Sequence, residues 1–466
     1  MLKTLVLSVV LLLIASAGAQ AATLAVNSTD IVIADDGLCT LPEAILSANT
    51  DSPSGSLAGE CPAGSGPDLI ELQEGANYVL TEVLSSDVFG DNGLPFVTDN
   101  GLVIDGRDAV LRRDNAAPDF RMLRITGTSV TISRLHFENG TSDGTGGAIS
   151  ATRVLTVEHS TFTGNTSAVF GGGVYGNTTS SLMIRDSVFL GNQAQSFGAG
   201  VWGTGTLRVE RCHFEGNLIV SSGGSGAGVA GSGMAEILDS TFTGNFGGAI
   251  RHGDGTLIVR RSSIWGNMVT NAVLSDTNNQ AFLYNTTITG NTGLFAGLRV
   301  INEATLRNVS IVGNEATLPS ASGGMQANDP ATVSSSNSII ANNIGGDCNG
   351  ALTSFGHNLD SDGSCELSAE GDATGDPLLS SLFLADFGVV LLPDPASPAV
   401  DTGSPATVGS DDMACELVDQ VGRARPVDGD DDQMARCDKG ALELARHIFS
   451  DGFESGDTTA WSNTID

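Results

Sequence analysis

A run of acidic residues near the end of the chain has the spacing of a cation site. Asp428, Asp430 and Asp432 place three carboxylates at alternate positions, and calcium takes oxygen ligands from such runs. The twelfth position counted from Asp428 is Lys439, so the run lacks the bidentate glutamate that closes an EF-hand loop. Calcium at these three aspartates is therefore a hypothesis, and we expect no other cofactor. The sequence favours a solvated acidic turn over the calcium site.

Other carboxylates lie on strands, where polysaccharide chemistry would need them. Glycosidases place two carboxyl groups across the scissile bond, and lyases use a base assisted by a cation. Asp186 and Asp239 occupy one position of a repeat, but Arg211 takes that position between them and His159 precedes them. Alternating charges favour a surface ladder over a catalytic groove. We therefore predict no catalytic residue and keep a polysaccharide lyase or glycoside hydrolase as the alternative.

Aromatic and histidine side chains are the other residues that could take part in the same chemistry. Four aromatic residues of types that stack on sugars are expected at the surface: Tyr175, Trp202, Trp265 and Tyr284. We interpret them as lying at different points of the repeat, which argues against one sugar-binding groove. The other histidines considered show no partner constellation in the sequence: His136, His213 and His252.

A six-residue motif that ends in asparagine recurs along the chain. The fold built from this repeat must position the side chains named above. Its first clear copy is STFTGN, which ends at Asn165, and neighbouring copies lie 22 to 28 residues apart. The asparagines are Asn139, Asn165, Asn192, Asn217, Asn245, Asn267, Asn291 and Asn314. A variable period in the twenties is typical of a solenoid, whose loops absorb the differences in length.

Apolar residues two positions apart predict short strands with one buried face in each repeat. Leu155, Val157 and Phe162 recur with the same spacing, and a skipped position before Ser160 predicts a bend between two strands. Such coils, stacked in parallel, form a right-handed parallel β-helix, an all-β fold. We expect the phenylalanines to stack inside it. Asn165 and its successors should form a ladder of amides at a turn.

The first coil of a β-helix needs a cap, and the stretch CTLPEAILSAN at 39–49 predicts one. Thr40 and Glu43 have the spacing of a helix capping box, and Pro42 is tolerated in the first turn. The alternative role for Glu43 is that of a catalytic acid.

The seven cysteines predict an oxidising compartment. Pairing neighbours in sequence gives three disulfides: Cys39–Cys61, Cys348–Cys365 and Cys415–Cys437. Cys212 is left over. It shares its position in the repeat with inward-pointing serines, so we predict a buried free thiol there.

Charge and the ends of the chain restrict partners and location. The chain has 466 residues and a net charge of −33, which disfavours nucleic acid and anionic membranes as partners. Residues 1–22 have the pattern of a signal peptide, and no later stretch has the length of a transmembrane helix. We expect a secreted or cell-surface monomer. Its predicted segments are 1–22 (signal peptide), 23–99 (cap region), 100–345 (β-helix), 346–446 (C-terminal region) and 447–466 (tail).

The beginning of the mature chain resembles the CSLREA-domain proteins, which are secreted bacterial proteins. DGLCTLPEAI at 36–45 resembles their entry motif, with Thr40 and Pro42 where Ser and Arg are usual. IDGRDAVLRRD at 104–114 resembles the early coil of that family. The repeats, with FxxN at 162–165 and GGAI at 146–149, resemble those of chlamydial polymorphic outer-membrane proteins, which are surface adhesins.

The end of the chain resembles the ending called choice-of-anchor Q. The similar stretches are SPAVDTG at 397–403, DQVGRARP at 419–426 and CDKGALE at 437–443, and FSDGFESGD at 449–457 resembles a tail of other exported bacterial proteins. These resemblances imply the fold and export, and they imply no established chemistry. We therefore predict a non-enzymatic protein that binds an extracellular polymer or a host or cell surface.

Overall fold

The computed structural model describes residues 21–269, 271–276, 278–295, 297–384, 387–430 and 432–444. Within these ranges the chain forms one helix, α1 at Leu41–Thr50, and 43 strands. The predicted tail and all but the last two residues of the predicted signal peptide lie outside them.

Most of the strands have two to six residues. β1–β12 are Thr23–Ala25, Leu69–Glu71, Asn77–Leu80, Ser85–Asp87, Gly90–Asn92, Leu102–Arg113, Leu123–Ile125, Ser129–Glu138, Thr141–Ser142, Ile149–Ala151, Val154–Glu158 and Thr161–Thr163. β13–β25 are Thr166–Ser167, Val174–Gly176, Ser181–Arg185, Val188–Leu190, Gln193–Ala194, Val201–Gly203, Thr206–Glu210, His213–Glu215, Leu218–Ile219, Val229–Leu238, Thr241–Thr243, Ile250–Arg260 and Ser263–Trp265. β26–β43 are Met268–Val269, Val273–Ser275, Asn279–Tyr284, Thr287–Thr289, Thr292–Gly293, Leu298–Val300, Glu303–Arg307, Ser310–Val312, Glu315–Ala316, Met325–Ala327, Thr332–Ser336, Ile339–Ala341, Cys348–Asn349, Leu352–Ser354, Leu359–Asp360, Ala373–Thr374, Leu379–Leu384 and Gly388–Pro393.

The strands stack in parallel into a solenoid of about 10 turns, which confirms the predicted parallel β-helix. The register pairs Leu155 with Leu182 and Phe162 with Phe189, so like residues lie in columns. The coil extends beyond the predicted limits of 100–345. At one end β1 pairs with β2, and at the other β40 pairs with β41, all within one sheet of 32 strands.

Phenylalanines fill the centre of the coil, as predicted. The stacked rings are those of Phe137, Phe162, Phe189, Phe214 and Phe242, whose neighbouring centroids lie 4.7–4.9 Å apart with planes within 7° of parallel. All five side chains are fully buried. The separation follows the spacing of parallel strands, because each ring lies on the ring of the coil below.

The predicted asparagine ladder is also present. Asn165 Nδ2 donates to Asn192 Oδ1 at 2.9 Å and to the carbonyl of Phe137 at 3.1 Å, and its backbone N–H donates to the same Asn192 oxygen. The pattern continues through Asn314 to Asn343. Each buried amide thus satisfies backbone groups that the turn leaves unpaired.

Asn139, which the sequence analysis counted as the first of the series, is not part of this ladder. It adopts a left-handed conformation with φ 64°, which corresponds to that of Gly164 one coil later. The ladder position in its coil is taken by Gly140, whose N–H donates to Asn165 Oδ1. The asparagine spacing of the first repeat was therefore wrong by one residue.

The predicted bend between strands is a single residue in the left-handed conformation, repeated in nine coils. We call these nine residues the ladder column: Arg134, His159, Asp186, Arg211, Asp239, Arg261, Asn285, Asn308 and Asn337, with φ between 46° and 53°. For residues other than glycine this conformation costs about 1–2 kcal/mol each. It directs every one of these side chains out of the same face of the coil.

A helical cap precedes the coil, as predicted. Thr40 is the N-cap of α1, and its hydroxyl accepts the N–H of Glu43 while the Glu43 carboxylate accepts the N–H of Thr40. The same carboxylate accepts the N–H of Ala34 and is buried, so Glu43 has a structural role. No helix among the described residues has the length and apolarity needed to cross a membrane.

All three predicted cysteine pairs lie at disulfide distance: Cys39–Cys61, Cys348–Cys365 and Cys415–Cys437. Cys212 is a buried free thiol, and burial raises its pKa to about 12. Its sulfur lies 3.3 Å from the carbonyl of Glu210, within the column of inward-pointing serines.

The chain after β41 returns along the outside of the coil instead of forming a separate layer. We call residues 388–444 the cover. Ser263 Oγ donates to the carbonyl of Val389 in β43, and the N–H of Ala441 donates to Ser310 Oγ. The C-terminal region predicted at 346–446 therefore comprises two parts, the last turns of the coil and this cover.

Candidate functional site

The outer face of the coil carries the charged residues that the sequence analysis singled out. Arg211 donates to both carboxylate oxygens of Asp186, at 2.7 and 2.9 Å. Arg261 donates to both oxygens of Asp239, at 2.6 and 2.8 Å. Bidentate pairs of this kind fix the orientation of both side chains. The face is therefore a rigid series of ion pairs that link one coil to the next.

The charges of this series are mutually stabilised. The hydrogen bonds from Arg211 lower the pKa of Asp186, and the same contact raises the pKa of Arg211. The second carboxylate partner of Arg211 is its neighbour Glu210, whereas Asp239 pairs one coil further on with Arg261. Asp186 and Asp239 are thus each held by a guanidinium group, which differs from the paired carboxyl groups of a glycosidase.

A cleft of about 480 Å³ lies where this charged face meets the hairpin β42–β43. Its lining includes the polar residues Asp186, Arg211, His213 and Asp239 from the coil and Phe387 from the hairpin. Two parts of the chain that are far apart in sequence therefore build it. Combining polar groups with an aromatic ring in a concave site is typical of small-ligand and sugar binding.

His213 in this cleft has a partner that the sequence analysis missed. Its Nε2 lies 3.1 Å from Glu215 Oε2, and both side chains are partly exposed. The two residues are two apart on β20, so they point to the same side of the strand. That spacing was visible in the sequence and could have identified the pair.

The last three residues of the ladder column are covered instead of exposed. Asn308 Nδ2 donates to the carbonyl of Asp438, and its Oδ1 accepts the N–H of Glu416. Asn337 Nδ2 donates to the carbonyl of Met413 in the same way. These asparagines are buried, and their amides bind the backbone of the cover.

Ionic and aromatic contacts reinforce this covered part. Arg260 and Arg307 lie on the ring of Tyr284, with their guanidinium carbons 3.9 and 5.5 Å from its centroid. Glu416 of the cover binds both arginines, at 3.3 and 3.1 Å. Tyr284 is therefore occupied by the protein's own cations and is not a free sugar platform.

The aromatic residues are less scattered than the sequence analysis stated. Tyr175 and Trp202 are register partners on adjacent coils, so they share a column. Trp202 stacks on Phe170, with centroids 4.6 Å apart, and on Phe197 at 5.7 Å. Trp265 lies elsewhere, edge-on to Phe383. The interpretation that all four differ in position was wrong for Tyr175 and Trp202.

The predicted cation ligands are partly grouped. Carboxylate oxygens of Asp401, Asp428 and Asp430 lie within 4.8 Å of one another. Asp401, 27 residues before the acidic run, accepts the backbone N–H groups of Gly429 and Asp430. Burial raises the pKa of Asp401, and the charge of Asp430 adds to this rise. Asp432 is not in the group, and its carboxylate accepts the N–H of Met434.

The motifs that resemble choice-of-anchor Q supply a buried ionic network. Arg425 and Glu443 form a fully buried ion pair, and the Glu443 carboxylate also accepts the N–H of Asp438. Burial, followed by the charge of Glu443, raises the pKa of Asp438 to about 8. Asp438 accepts the N–H of Asp401 and so connects this network to the acidic cluster. These residues hold the cover together and do not face solvent.

Comparison with known proteins agrees with the fold. The family model for the right-handed β-helix region matches residues 85–225. Together with the parallel register of the strands, this defines the chain as a right-handed parallel β-helix protein. No curated protein matches the sequence.

Two solved structures show a distant likeness to this chain. One is a variant of a PL6 family alginate lyase, AlyGC, with 14% identity, a TM-score of 0.35, and coverage of 75% of this chain and 56% of that one. The other is XylC in complex with xylose, with 10% identity, a TM-score of 0.37, and coverage of 70% and 67%. The chain thus spans little more than half the length of the alginate lyase. At these identities the likeness concerns the fold alone.

Proposed function

We propose that the protein is exported and acts without catalysis, binding an extracellular polymer or a cell surface along the charged part of the ladder column. One observation carries this proposal: Asp186 and Asp239 are each held bidentately by an arginine of the following coil. Such carboxylates present fixed hydrogen-bond acceptors but are not poised for proton transfer. Weak contacts repeated along a rigid face add through avidity.

Export is supported by the cysteines and by the predicted leader. Three disulfides suit an oxidising compartment, and residues 1–22 have the pattern of a signal peptide. The resemblance to CSLREA-domain and choice-of-anchor Q proteins favours the same location. Because the net charge is −33, nucleic acid is a poor partner.

The proposal is tested with the purified mature chain from residue 23. We expect it to be retained on a glycan array or on cells, while parallel assays for new reducing ends and unsaturated uronates detect no product. Steady cleavage of a polysaccharide that a single carboxylate substitution abolishes would overturn the non-enzymatic proposal.

A polysaccharide lyase or glycoside hydrolase is the second candidate, favoured by His213, which lines the cleft and lies 3.1 Å from Glu215. A carboxylate that orients a histidine is a common arrangement for a general base. If the protein is such an enzyme, His213→Ala and Glu215→Gln should each reduce cleavage by at least 100-fold. His136→Ala is the matched control, because His136 points outward in the same column but does not line the cleft.

A further inference from the structure

The cleft beside the ladder column has one wall that is held rigidly by the coil. Asp186 and Arg211 form a bidentate pair on adjacent coils, and Asp239 is held by Arg261 on the next. Because these residues follow each other along the coil axis, their polar groups repeat at the spacing of parallel strands, about 4.8 Å. The wall is therefore a regular array of acceptors and donors.

The second wall of the cleft is the hairpin β42–β43, whose backbone packs closely against the coil. Gly388, next to Phe387, has φ 68°, and a Cβ at this position would lie 2.9 Å from Thr241 Cγ2 and 3.0 Å from Ser263 Cβ. Only glycine allows this approach. The backbone is also tied to the coil by the hydrogen bond from Ser263 to the carbonyl of Val389 at 2.8 Å. The backbone next to Phe387 is thus fixed against the coil, and Phe387 lines the same cleft as the polar array.

The chemistry of the two walls suits a sugar chain. A pyranose presents a C–H face that packs on an aromatic ring and an edge of hydroxyl groups that donate and accept hydrogen bonds. Carboxylates accept from such hydroxyls and guanidinium groups donate to them. The cleft of about 480 Å³ has the size of sites that hold small ligands, and its open form suits a segment of a longer polymer.

The charges of the cleft disfavour an acidic sugar. The guanidinium group of Arg211 is already paired with the carboxylates of Asp186 and Glu210, so no net positive charge is left there. Glu215 adds a negative charge beside His213, and the whole chain carries −33. These negative charges would repel an anionic polymer.

We propose that the cleft between the ladder column and Phe387 binds a neutral, hydroxyl-rich glycan, with Phe387 against its apolar face and Asp186, Arg211 and Asp239 along its hydroxyl edge. This inference rests on the proposed function, since it specifies which polymer is bound and where.

Affinity electrophoresis in gels containing a soluble polysaccharide tests the proposal. The neutral probes are hydroxyethyl cellulose, glucomannan and arabinoxylan, and the acidic probes are alginate and polygalacturonate. We expect at least one neutral probe to retard the mature chain. Phe387→Ala and Gly388→Ala should each raise the dissociation constant at least tenfold. Gly290→Ala should leave it unchanged, because Gly290 has a similar φ of 61° but open space around its Cβ position.

Two other outcomes are distinguishable. Retardation by acidic probes alone, or binding to neutral probes that survives both Phe387→Ala and Gly388→Ala, would overturn the cleft proposal and leave the broader binding function standing. Absence of binding to every probe and to cells would overturn both. Circular dichroism and melting curves of each variant show whether it is folded. If Gly388→Ala does not fold, Phe387→Ala still tests the proposal, because it alters a partly exposed side chain.

Discussion

The two halves of the ladder column share one backbone conformation and differ in what surrounds them. In the open half, from Arg134 to Arg261, the side chains are charged or ionisable and partly exposed. In the covered half, Asn285, Asn308 and Asn337 are buried under the cover. Asparagine tolerates the left-handed conformation and offers an amide that can bind a neighbouring backbone. The change of residue type along the column therefore marks where the molecule binds itself and where it is free to bind something else.

Removing one amide from the covered half should have the largest effect. Asn308→Ala deletes the contacts to Glu416 and Asp438 in a fully buried site and leaves their backbone groups unpaired. We expect a loss of about 2–4 kcal/mol in unfolding free energy. Chemical denaturation measures it. Asp186→Ala is the matched control, because it replaces a residue of the same conformation in the open half. Its loss in unfolding free energy should be about 2 kcal/mol smaller than that of Asn308→Ala. Equal losses would contradict the distinction between the halves.

Charge reversal sharpens the same comparison through its salt dependence. Arg307→Glu in the covered half opposes Glu416 and Asp412 where the arginine side chain is only 11% exposed. Arg211→Glu in the open half opposes Asp186 where the arginine is 48% exposed. We expect Arg307→Glu to lower the unfolding free energy by about 3 kcal/mol and Arg211→Glu to lower it by about 1 kcal/mol.

Melting at low and high salt separates the two variants. High salt should restore much of the stability that Arg211→Glu loses, because exposed charges are screened over roughly 8–10 Å. It should restore little of the stability that Arg307→Glu loses, because that site is covered. An open-half variant that melts like the wild type at low salt would show that its ion pairs contribute nothing to the coil.

The cover and the coil should respond to pH in opposite senses. Asp438 has a folded pKa of about 8 against an ordinary value of 3.8, so the folded cover binds more protons and loses stability as pH rises through this window. Burial lowers the pKa of His252 to about 4 from 6.5, so the coil loses stability as pH falls from 6.5 to 4.

Proteolysis of the cover between pH 5 and 7.5 tests the first of these trends. We expect the cover to become about 1–2 kcal/mol less stable across that range. Asp438→Asn mimics the protonated acid and should flatten the dependence. The window stops short of the titration of Lys439, whose pKa burial lowers to about 8. A cover that gains stability with rising pH would contradict the assignment.

Calcium should have the smallest effect of these tests. If Asp401, Asp428 and Asp430 bind it, calcium at ten times its dissociation constant stabilises the folded chain by about 1.4 kcal/mol. Differential scanning fluorimetry with calcium and then a chelator measures this shift. Asp428→Asn should abolish it and Asp432→Asn should not. A melting temperature unchanged by millimolar calcium would contradict the calcium hypothesis and favour the solvated acidic turn.

The repeat explains why the fold could be predicted and the cover could not. The positions of Phe162 and Asn165 recur with similar residues in successive coils, and stacking in register turns that spacing directly into columns. The contact of Asn308 with Asp438 spans 130 residues, and no periodicity connects the two. The left-handed conformation of Arg211 was equally hidden, since arginine has no preference for it. Asp401 escaped the cation prediction because it lies outside the acidic run.

The central claim is that the open half is a binding surface and not merely a brace for the coil. The double variant Asp186→Arg, Arg211→Asp exchanges the two charges, so the ion pair can re-form while the chemistry presented to a ligand is reversed. Binding of the mature chain to its best glycan or cell target, measured beside its melting curve, separates these roles. We predict a melting temperature close to that of the wild type and at least tenfold weaker binding. Unchanged binding by the double variant would contradict the claim.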